Sequence, residues 1–288
     1  MNTYFYKLGK IRYNYADPTA EKIENRYLNG IMDSGVGNCY TMPLLYQVVA
    51  QRLGYPVKFV FTPRHSFLRY DDPKLERQNI EATSYGTYHS DEYYKQWLPM
   101  KPEALKNGLY MRTLTNRELL ADLIGMSAAD WGRASNKRDL TDGDRIRYIL
   151  KSINYLHVAE KLNPKNEQVM QDLAGSYEFL NYLETKDDFG PNYFGFPKGS
   201  LNGDVLRMID TSERRSWAEH LATAQAYYQK ALLLGLDPSY YTKKFKRDYL
   251  ADIPRLKKNN ELFEKKMAEG EAKLNEFMRK IASDRRNL

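Results

Sequence analysis

One stretch of the chain decides the expected fold and reads Gly35-Val36-Gly37-Asn38-Cys39-Tyr40-Thr41-Met42-Pro43-Leu44-Leu45-Tyr46. It contains the only cysteine among the 288 residues. A glycine-rich approach precedes Cys39, and a helix pattern follows it until Gly54 and Pro56. Pro43 fits the first turn of that helix, where backbone N–H groups have no intrahelical partner. We therefore expect Cys39 at a helix N-terminus, where the positive end of the helix dipole favours a thiolate. The predicted buried stripe of this helix is Leu44, Leu45, Val48, Val49 and Leu53.

Three strand-like runs follow the helix, at residues 57–61, 65–70 and 78–83. A turn sequence, Asp71-Asp72-Pro73-Lys74, separates the second run from the third. If the turn is centred near Pro73, antiparallel pairing places Glu81 opposite His65, to within a slip of one or two residues. A cysteine on a helix, a histidine on a strand and a carboxylate on the next strand supply a nucleophile, a base and an orienting group.

The second half of the chain reads as helices, at 115–131, 142–162, 167–183, 212–235 and from 256 onward. Residues 184–212 are rich in glycine and proline, which predicts a loop or lid between two of these helices. The helix endings at 159–164 and 231–238 both look like the second helix of a tetratricopeptide unit. The sequence therefore predicts an α+β domain over residues 1–112 and a helical domain over residues 113–288, with a long C-terminal helix.

Charge and composition argue against several classes of protein. The net charge is +7, but residues 243–288 hold 14 lysines and arginines against 8 aspartates and glutamates. These charges alternate in sign along a helix pattern, as on a solvated helix face, so nucleic-acid binding ranks last. No apolar run approaches the roughly 18 residues of a membrane span. The single cysteine excludes an internal disulfide, and four histidines without ligand spacing give no case for a metal or another cofactor.

The motifs taken together resemble those of the transglutaminase-like superfamily. Residues 37–54 resemble its cysteine helix, residues 63–69 its histidine strand and residues 79–86 its acidic strand. The resemblance extends to a bacterial branch in which tetratricopeptide-like helices follow this core, and it covers residues 30–165 best. It implies a papain-like α+β core, a helix packed on an antiparallel sheet, followed by an all-α domain.

The resemblance also implies roles for three residues. Cys39 would be the nucleophile that attacks an amide carbonyl, His65 the general base and acid, and Glu81 the group that orients the imidazole. Glu81 departs from the aspartate that is usual in the family. Arg64 stands where relatives often carry asparagine, and this difference is expected to affect the substrate groove or His65.

Two classes of function follow from these observations. The first is a cysteine acyl-transfer enzyme that hydrolyses or transfers an amide bond of a protein or peptide, with the helical domain recruiting substrate or partner. The alternative is a catalytically silent core that serves as a protein-interaction module. The other three histidines are expected to be exposed (His89) or structural (His157 and His220). The first residues show no signal peptide, so the sequence as it stands predicts a cytoplasmic protein, or an exported one if a leader was removed.

Overall fold

The computed structural model describes residues 1–72, 74, 78–189, 215–237 and 253–284. Most of the loop or lid predicted at 184–212, and the first residues of the helix predicted at 212–235, lie outside these residues. Residues 184–189 continue the preceding helix instead of starting a loop.

The N-terminal segment leads into the cysteine helix through several short elements. They are a π-helix at Thr3–Leu8, strand β1 at Arg12–Tyr13, a 3-10 helix at Ile23–Arg26, helix α1 at Leu28–Ser34 and strand β2 at Val36–Gly37. Strands β1 and β2 pair in parallel. Gly35 ends α1 in the left-handed conformation, with a φ of 70°, which glycine adopts without steric cost. Helix α2 then spans Thr41–Arg52, as the sequence predicted.

A four-stranded antiparallel sheet follows α2, with its strands in chain order. The strands are β3 at Val57–Thr62, β4 at His65–Tyr70, β5 at Gln78–Glu81 and β6 at Thr87–His89. The first three were predicted, and β6 was not. The α+β class is confirmed by this antiparallel sheet within a mainly helical chain.

The register between β4 and β5 differs by two residues from the pairing centred on Pro73, which is within the slip that the prediction allowed. Leu68 pairs with Ile80 and Tyr70 with Gln78, which places Glu81 level with Phe67 rather than His65. Side chains alternate between the two faces of a strand. A shift of two residues therefore keeps Glu81 on the same face of the sheet as His65, whereas a shift of one residue would have moved it to the opposite face.

The two faces of the sheet are covered by different elements. Helix α2 packs on β3 and β4 on one face, where Leu44 and Ala50 join Phe59 and Leu68 in a buried cluster. The buried side of α2 differs from the predicted stripe, because Val48 and Leu53 are exposed. The residues that α2 buries most are Thr41, Met42, Leu44, Tyr46, Gln47 and Ala50. On the other face, Val60 and Phe67 pack with helix α3, Asp91–Trp97.

Helices make up the rest of the described chain. They are α4 at Pro102–Lys106, α5 at Asn116–Ser135, α6 at Asp142–Leu162, α7 at Glu167–Phe189, α8 at Arg215–Leu233 and α9 at Ile253–Asp284. Helices α5, α6, α7 and α8 pack each on the next. A capping box between Thr115 and Glu118 begins α5, and it satisfies N–H groups that the first turn leaves without partners.

Residues on both sides of the predicted domain boundary at residue 112 pack into one hydrophobic cluster. The cluster contains Val60 and Phe67 of the sheet together with Met170, Ala231 and Ile253 of the helices. The domain division and the tetratricopeptide-like arrangement stay predictions. No helix in the described ranges has both the length and the apolar character to cross a membrane.

Candidate active site

Cys39 lies just before α2 in a tightly hydrogen-bonded helix start. The side-chain oxygen of Asn38 accepts from the backbone N–H groups of Tyr40, at 2.8 Å, and Thr41, at 2.9 Å. Asn38 thereby fixes the backbone on the helix side of Cys39, at the residues where α2 begins. On the preceding side Gly37 has no room for a side chain, since a Cβ there would lie 2.4 Å from Ile31 Cδ1. Cys39 therefore lies between the hydrogen bonds of Asn38 and the tightly packed backbone of Gly37.

Strand β4 and the turn before it each contact Cys39 at one point. Ser66 Oγ donates to the Cys39 carbonyl oxygen. The thiol of Cys39 lies 3.9 Å from the carbonyl oxygen of Arg64, and the residue is partly exposed. Arg64 follows Pro63 in the two-residue turn between β3 and β4 and has a φ of 59°. A left-handed residue after proline is the arrangement of a type II turn, where glycine or asparagine is the usual choice.

His65 and Glu81 form a buried pair beside the thiol. His65 Nε2 and Glu81 Oε2 are 2.7 Å apart, and each residue is only 4% exposed. Tyr94 also donates its hydroxyl to Oε2, at 3.0 Å. The other oxygen, Oε1, accepts from the N–H of Thr83 at 3.0 Å and from its hydroxyl at 2.5 Å. Both oxygens of the buried carboxylate are thus satisfied, as a buried charge requires.

The protonation of the pair follows from its surroundings. Burial opposes the charged ring, but the charge of Glu81 and hydrogen bonds with Cys39 and Glu81 outweigh burial and raise the pKa of His65 to about 10. Burial likewise opposes the Glu81 carboxylate, yet the charge and hydrogen bond of His65 and the donors of Thr83 lower its pKa. At neutral pH the pair is therefore an imidazolium and a carboxylate.

Aromatic rings cover the pair. The centroid of the Trp97 ring lies 4.9 Å from that of His65, and Phe67 stacks on Tyr94 at 3.9 Å. Both Tyr94 and Trp97 belong to α3, and a spacing of three residues places them on one helix face. This cover keeps water from the hydrogen bond between His65 and Glu81 and strengthens it.

Sequence reasoning found three of the residues at this site and missed the others. Cys39, His65 and Glu81 come together as the sequence arrangement suggested. Ser66, Thr83, Tyr94 and Trp97 were not predicted. One signal in the sequence could have indicated two of them. Tyr94 and Trp97 are three residues apart, which places both rings on the same face of helix α3.

Of the other three histidines, His89 lies near enough to the pair to interact with the charges of Glu81 and His65. His89 stacks on Tyr93 at 4.0 Å and is half-buried rather than fully exposed, and burial lowers its pKa. His157 contacts the hydroxyl of Tyr177 at 2.9 Å, and His220 lies 3.4 Å from Glu184. Both sit on helices. Within the described residues no group of three or more histidine, cysteine, aspartate or glutamate side chains is arranged to hold a metal ion.

A cleft of about 270 Å³ adjoins the turn that carries Arg64 and extends to the helices. Its lining includes Pro63, Arg64, Lys101, Tyr110, Glu167 and Leu236. The hydroxyl of Tyr110 donates to Glu167, whose pKa burial raises to about 7. Lys101 pairs with Asp237 at 3.0 Å. We call this space the helix-junction cleft, because the β3–β4 turn, α7 and the end of α8 meet there.

Comparison with known families identifies the part of the chain that holds this site. Residues 1–124 match the family model of the transglutaminase-like superfamily, so this part has the fold of a transglutaminase-like domain. Comparisons with curated proteins and with solved structures gave no match.

Proposed function

We propose that this chain is a cysteine acyl-transfer enzyme in which Cys39 is the nucleophile, His65 the general base and acid, and Glu81 the residue that orients His65. The observation that carries the proposal is the buried pair of His65 and Glu81, 2.7 Å apart, next to a partly exposed thiol at a helix start. A nucleophile, a base and a third group that orients the base form the minimal set for covalent catalysis by a thiol.

The first half of the proposed reaction acylates Cys39. The raised pKa of His65 keeps its ring protonated at neutral pH. In the proposed reaction the attacking group is the thiolate form of Cys39 beside this imidazolium. The sulfur attacks the carbonyl carbon of an amide, and the oxygen takes the electron pair, supported by the Cys39 backbone N–H. His65 gives its proton to the amide nitrogen, the C–N bond breaks, and an amine leaves from a thioester on Cys39.

The second half releases the acyl group. Neutral His65 takes a proton from water or from an acceptor amine, whose oxygen or nitrogen attacks the thioester carbon. The C–S bond breaks, and Cys39 leaves as the thiolate beside the imidazolium, which restores the resting pair. Water yields a carboxylic acid and an amine yields a new amide. Throughout, Nε2 of His65 stays on Glu81, so Nδ1 is the nitrogen that exchanges protons.

We expect the substrate to be a protein or peptide that reaches Cys39 by way of the helix-junction cleft. Support comes from Arg64, which lines the cleft and whose carbonyl oxygen also lies 3.9 Å from the thiol. Because α7 and the end of α8 form the opposite wall, the helical part would take part in recruiting the substrate.

A thiol-specific test is direct, because Cys39 is the only cysteine. Labelling with iodoacetamide, followed by intact-mass measurement, should be fast in the wild type and slowed at least tenfold by His65→Ala, since loss of the imidazolium removes the thiolate. Acetylation by para-nitrophenyl acetate should add one hydroxylamine-sensitive acetyl group. Glu81→Gln should slow both reactions, and His157→Ala, on helix α6, serves as the matched control.

Two results would contradict the proposal. Slow labelling of the wild type, unchanged by His65→Ala, would mean that the thiol is not activated. Fast labelling with neither acetylation nor catalysed release of para-nitrophenolate would mean that the thiolate does not take up an acyl group. Either result would favour the alternative, a catalytically silent core that serves as an interaction module.

A further inference from the structure

Helix α9 returns from the helical part of the chain and crosses the turn that follows Glu81. Its contact there is Asn260, whose side-chain amide donates to the carbonyl oxygen of Thr83 at 2.9 Å and to the hydroxyl of Tyr15 at 2.8 Å. The side-chain oxygen of Asn260 accepts from Ser84 Oγ at 2.9 Å. One side chain thus holds two consecutive residues of the turn.

The same turn supplies donors to Glu81. It is a 3-10 turn at Ala82–Ser84, in which Thr83 gives both its N–H and its hydroxyl to Oε1 of Glu81. Tyr6 donates its hydroxyl to the carbonyl oxygen of Ala82 at 2.9 Å. The turn is therefore held by Tyr6 from the N-terminal π-helix and by Asn260 from α9.

Neighbouring residues of α9 show that Asn260 lies within a docked helix. Phe263 stacks on Tyr85 with ring centroids 5.2 Å apart. Glu264 accepts from the hydroxyl of Tyr85 and lies 3.4 Å from Arg12. These contacts fix the helix over the turn and set the position of Asn260.

We propose that Asn260 is a positioning residue of the candidate active site. By holding residues 83 and 84 it keeps Thr83 on Oε1 of Glu81, and it thereby keeps Oε2 directed at Nε2 of His65. Catalytic groups need to be held to within about 0.5 Å by partners that are themselves fixed, and Asn260 is such a partner. The consequence for Cys39 chemistry rests on the proposed function, whereas the positioning of Glu81 is a property of the fold.

The test compares substitutions at two asparagines of one helix. Asn260→Ala removes all three hydrogen bonds, and Asn260→Leu removes them while keeping a side chain of similar volume. Asn259 is exposed on the same helix, so Asn259→Ala and Asn259→Leu are matched controls. If Asn260 only filled space, leucine would restore wild-type behaviour. Circular dichroism checks that each variant folds.

The first readout is the pH profile of iodoacetamide labelling at Cys39. A less firmly held Glu81 supports the charge of His65 less well, so the imidazolium beside Cys39 is less favoured. We expect labelling of Asn260→Ala and Asn260→Leu at about pH 6 to be slower by about tenfold, because a less firmly held His65 activates the sulfur less well. Near pH 9 the rates should converge on the wild-type rate.

The second readout does not depend on reactivity. NMR titration of the His65 ring, assigned with His65→Gln, reports how well Glu81 holds the imidazolium. In both Asn260 variants the pKa of His65 should fall toward its ordinary value by about one unit or more, and in both Asn259 variants it should not change.

These readouts separate the two proposals. If His65→Ala leaves labelling unchanged, the proposed function fails, and the NMR titration alone decides the role of Asn260. If the Asn260 variants fold and leave the His65 titration at the wild-type value, the positioning role is wrong. Should both Asn260 variants fail to fold, Ser84→Ala removes one of the three bonds and is expected to shift the titration in the same direction. An unchanged titration in that variant would overturn the inference.

Discussion

Arg69 of β4 donates through Nη2 to Oδ1 of Asp91, the first residue of α3, at 2.6 Å. Its guanidinium also donates to Asn79 Oδ1 at 2.8 Å and to the carbonyl oxygen of Met111 at 2.9 Å. The Arg69 side chain is fully buried. This network ties the start of α3 to the sheet, and α3 carries the two aromatic rings that cover the candidate site.

Replacement of Arg69 should destabilise the protein strongly. Arg69→Met removes the cation but leaves the partners of the guanidinium largely buried, which costs about 3 kcal/mol in the free energy of unfolding. Urea denaturation measures the loss. Lys95→Ala breaks an exposed pair with Glu92 and should cost less than about 0.5 kcal/mol. Equal losses in the two variants would mean that the buried network contributes nothing beyond a surface pair.

Tyr94→Phe tests the hydroxyl that donates to Glu81. The substitution keeps the ring stacked on Phe67 but removes one hydrogen bond to a buried carboxylate, so we expect a loss of about 1–2 kcal/mol. The pKa of His65 should also fall, because Glu81 then supports its charge less well. Tyr88→Phe, at an exposed position on β6, is the control and should change neither stability nor the titration of His65.

The stability contributed by His65 should depend on pH with a defined sign. Its pKa is raised to about 10 in the folded state, so its contribution is complete below about pH 6.5 and is lost as the pH rises through about 10. The contribution of Glu81, whose pKa is lowered, is present above about pH 4.5 and lost on acidification. The difference in unfolding free energy between the wild type and His65→Gln should therefore decline from about pH 6.5 to about pH 10.

His89 provides a contrast of opposite sign. Because burial lowers its pKa, the folded state disfavours its protonation, and the wild type should lose stability relative to His89→Gln as the pH falls below about 6.5. Urea denaturation across the pH range measures both differences. Curves with the same slope for the two variants would contradict the assignment of charge at His65.

The left-handed backbone of the turn residue Arg64 should lower the stability of the protein. Its φ of 59° is unfavourable for a residue with a Cβ, by about 1 kcal/mol. Arg64→Gly and Arg64→Ala both remove the side chain, so their comparison isolates the backbone. We expect the glycine variant to be more stable by about 1 kcal/mol in urea denaturation. An alanine variant of equal stability would show that the turn relaxes on substitution.

Local patterns predicted the parts of the fold that depend on neighbours in the chain. Helix α2, strands β3 to β5 and the bounds of α6 follow from residue types and spacing over a few turns. The grouping of Cys39, His65 and Glu81 was predicted from the chain order of a cysteine, a histidine and a carboxylate, and their catalytic roles stay a proposal. The stripe of α2 was partly wrong, since Val48 and Leu53 are exposed although their residue types favour burial.

Features that depend on distant contacts could not be predicted. The register of β5 depends on how many residues the connection after Tyr70 uses, which turn residues alone do not specify. The contacts of Tyr94 with Glu81 and of Asn260 with Thr83 join separate elements, and the second pair is 177 residues apart. Nothing in the pattern around Asn260 distinguishes it from its exposed neighbour Asn259.

The docking of α9 on the turn after Glu81 has a consequence during synthesis. A ribosome adds roughly 5–20 residues each second, so the 177 residues between Thr83 and Asn260 take about 9–35 seconds to make. During that interval the nascent chain already contains Cys39, His65 and Glu81 but not the helix that secures the turn. A newly made thiol would therefore gain its full reactivity late in translation, after the helices that form the far wall of the cleft have emerged.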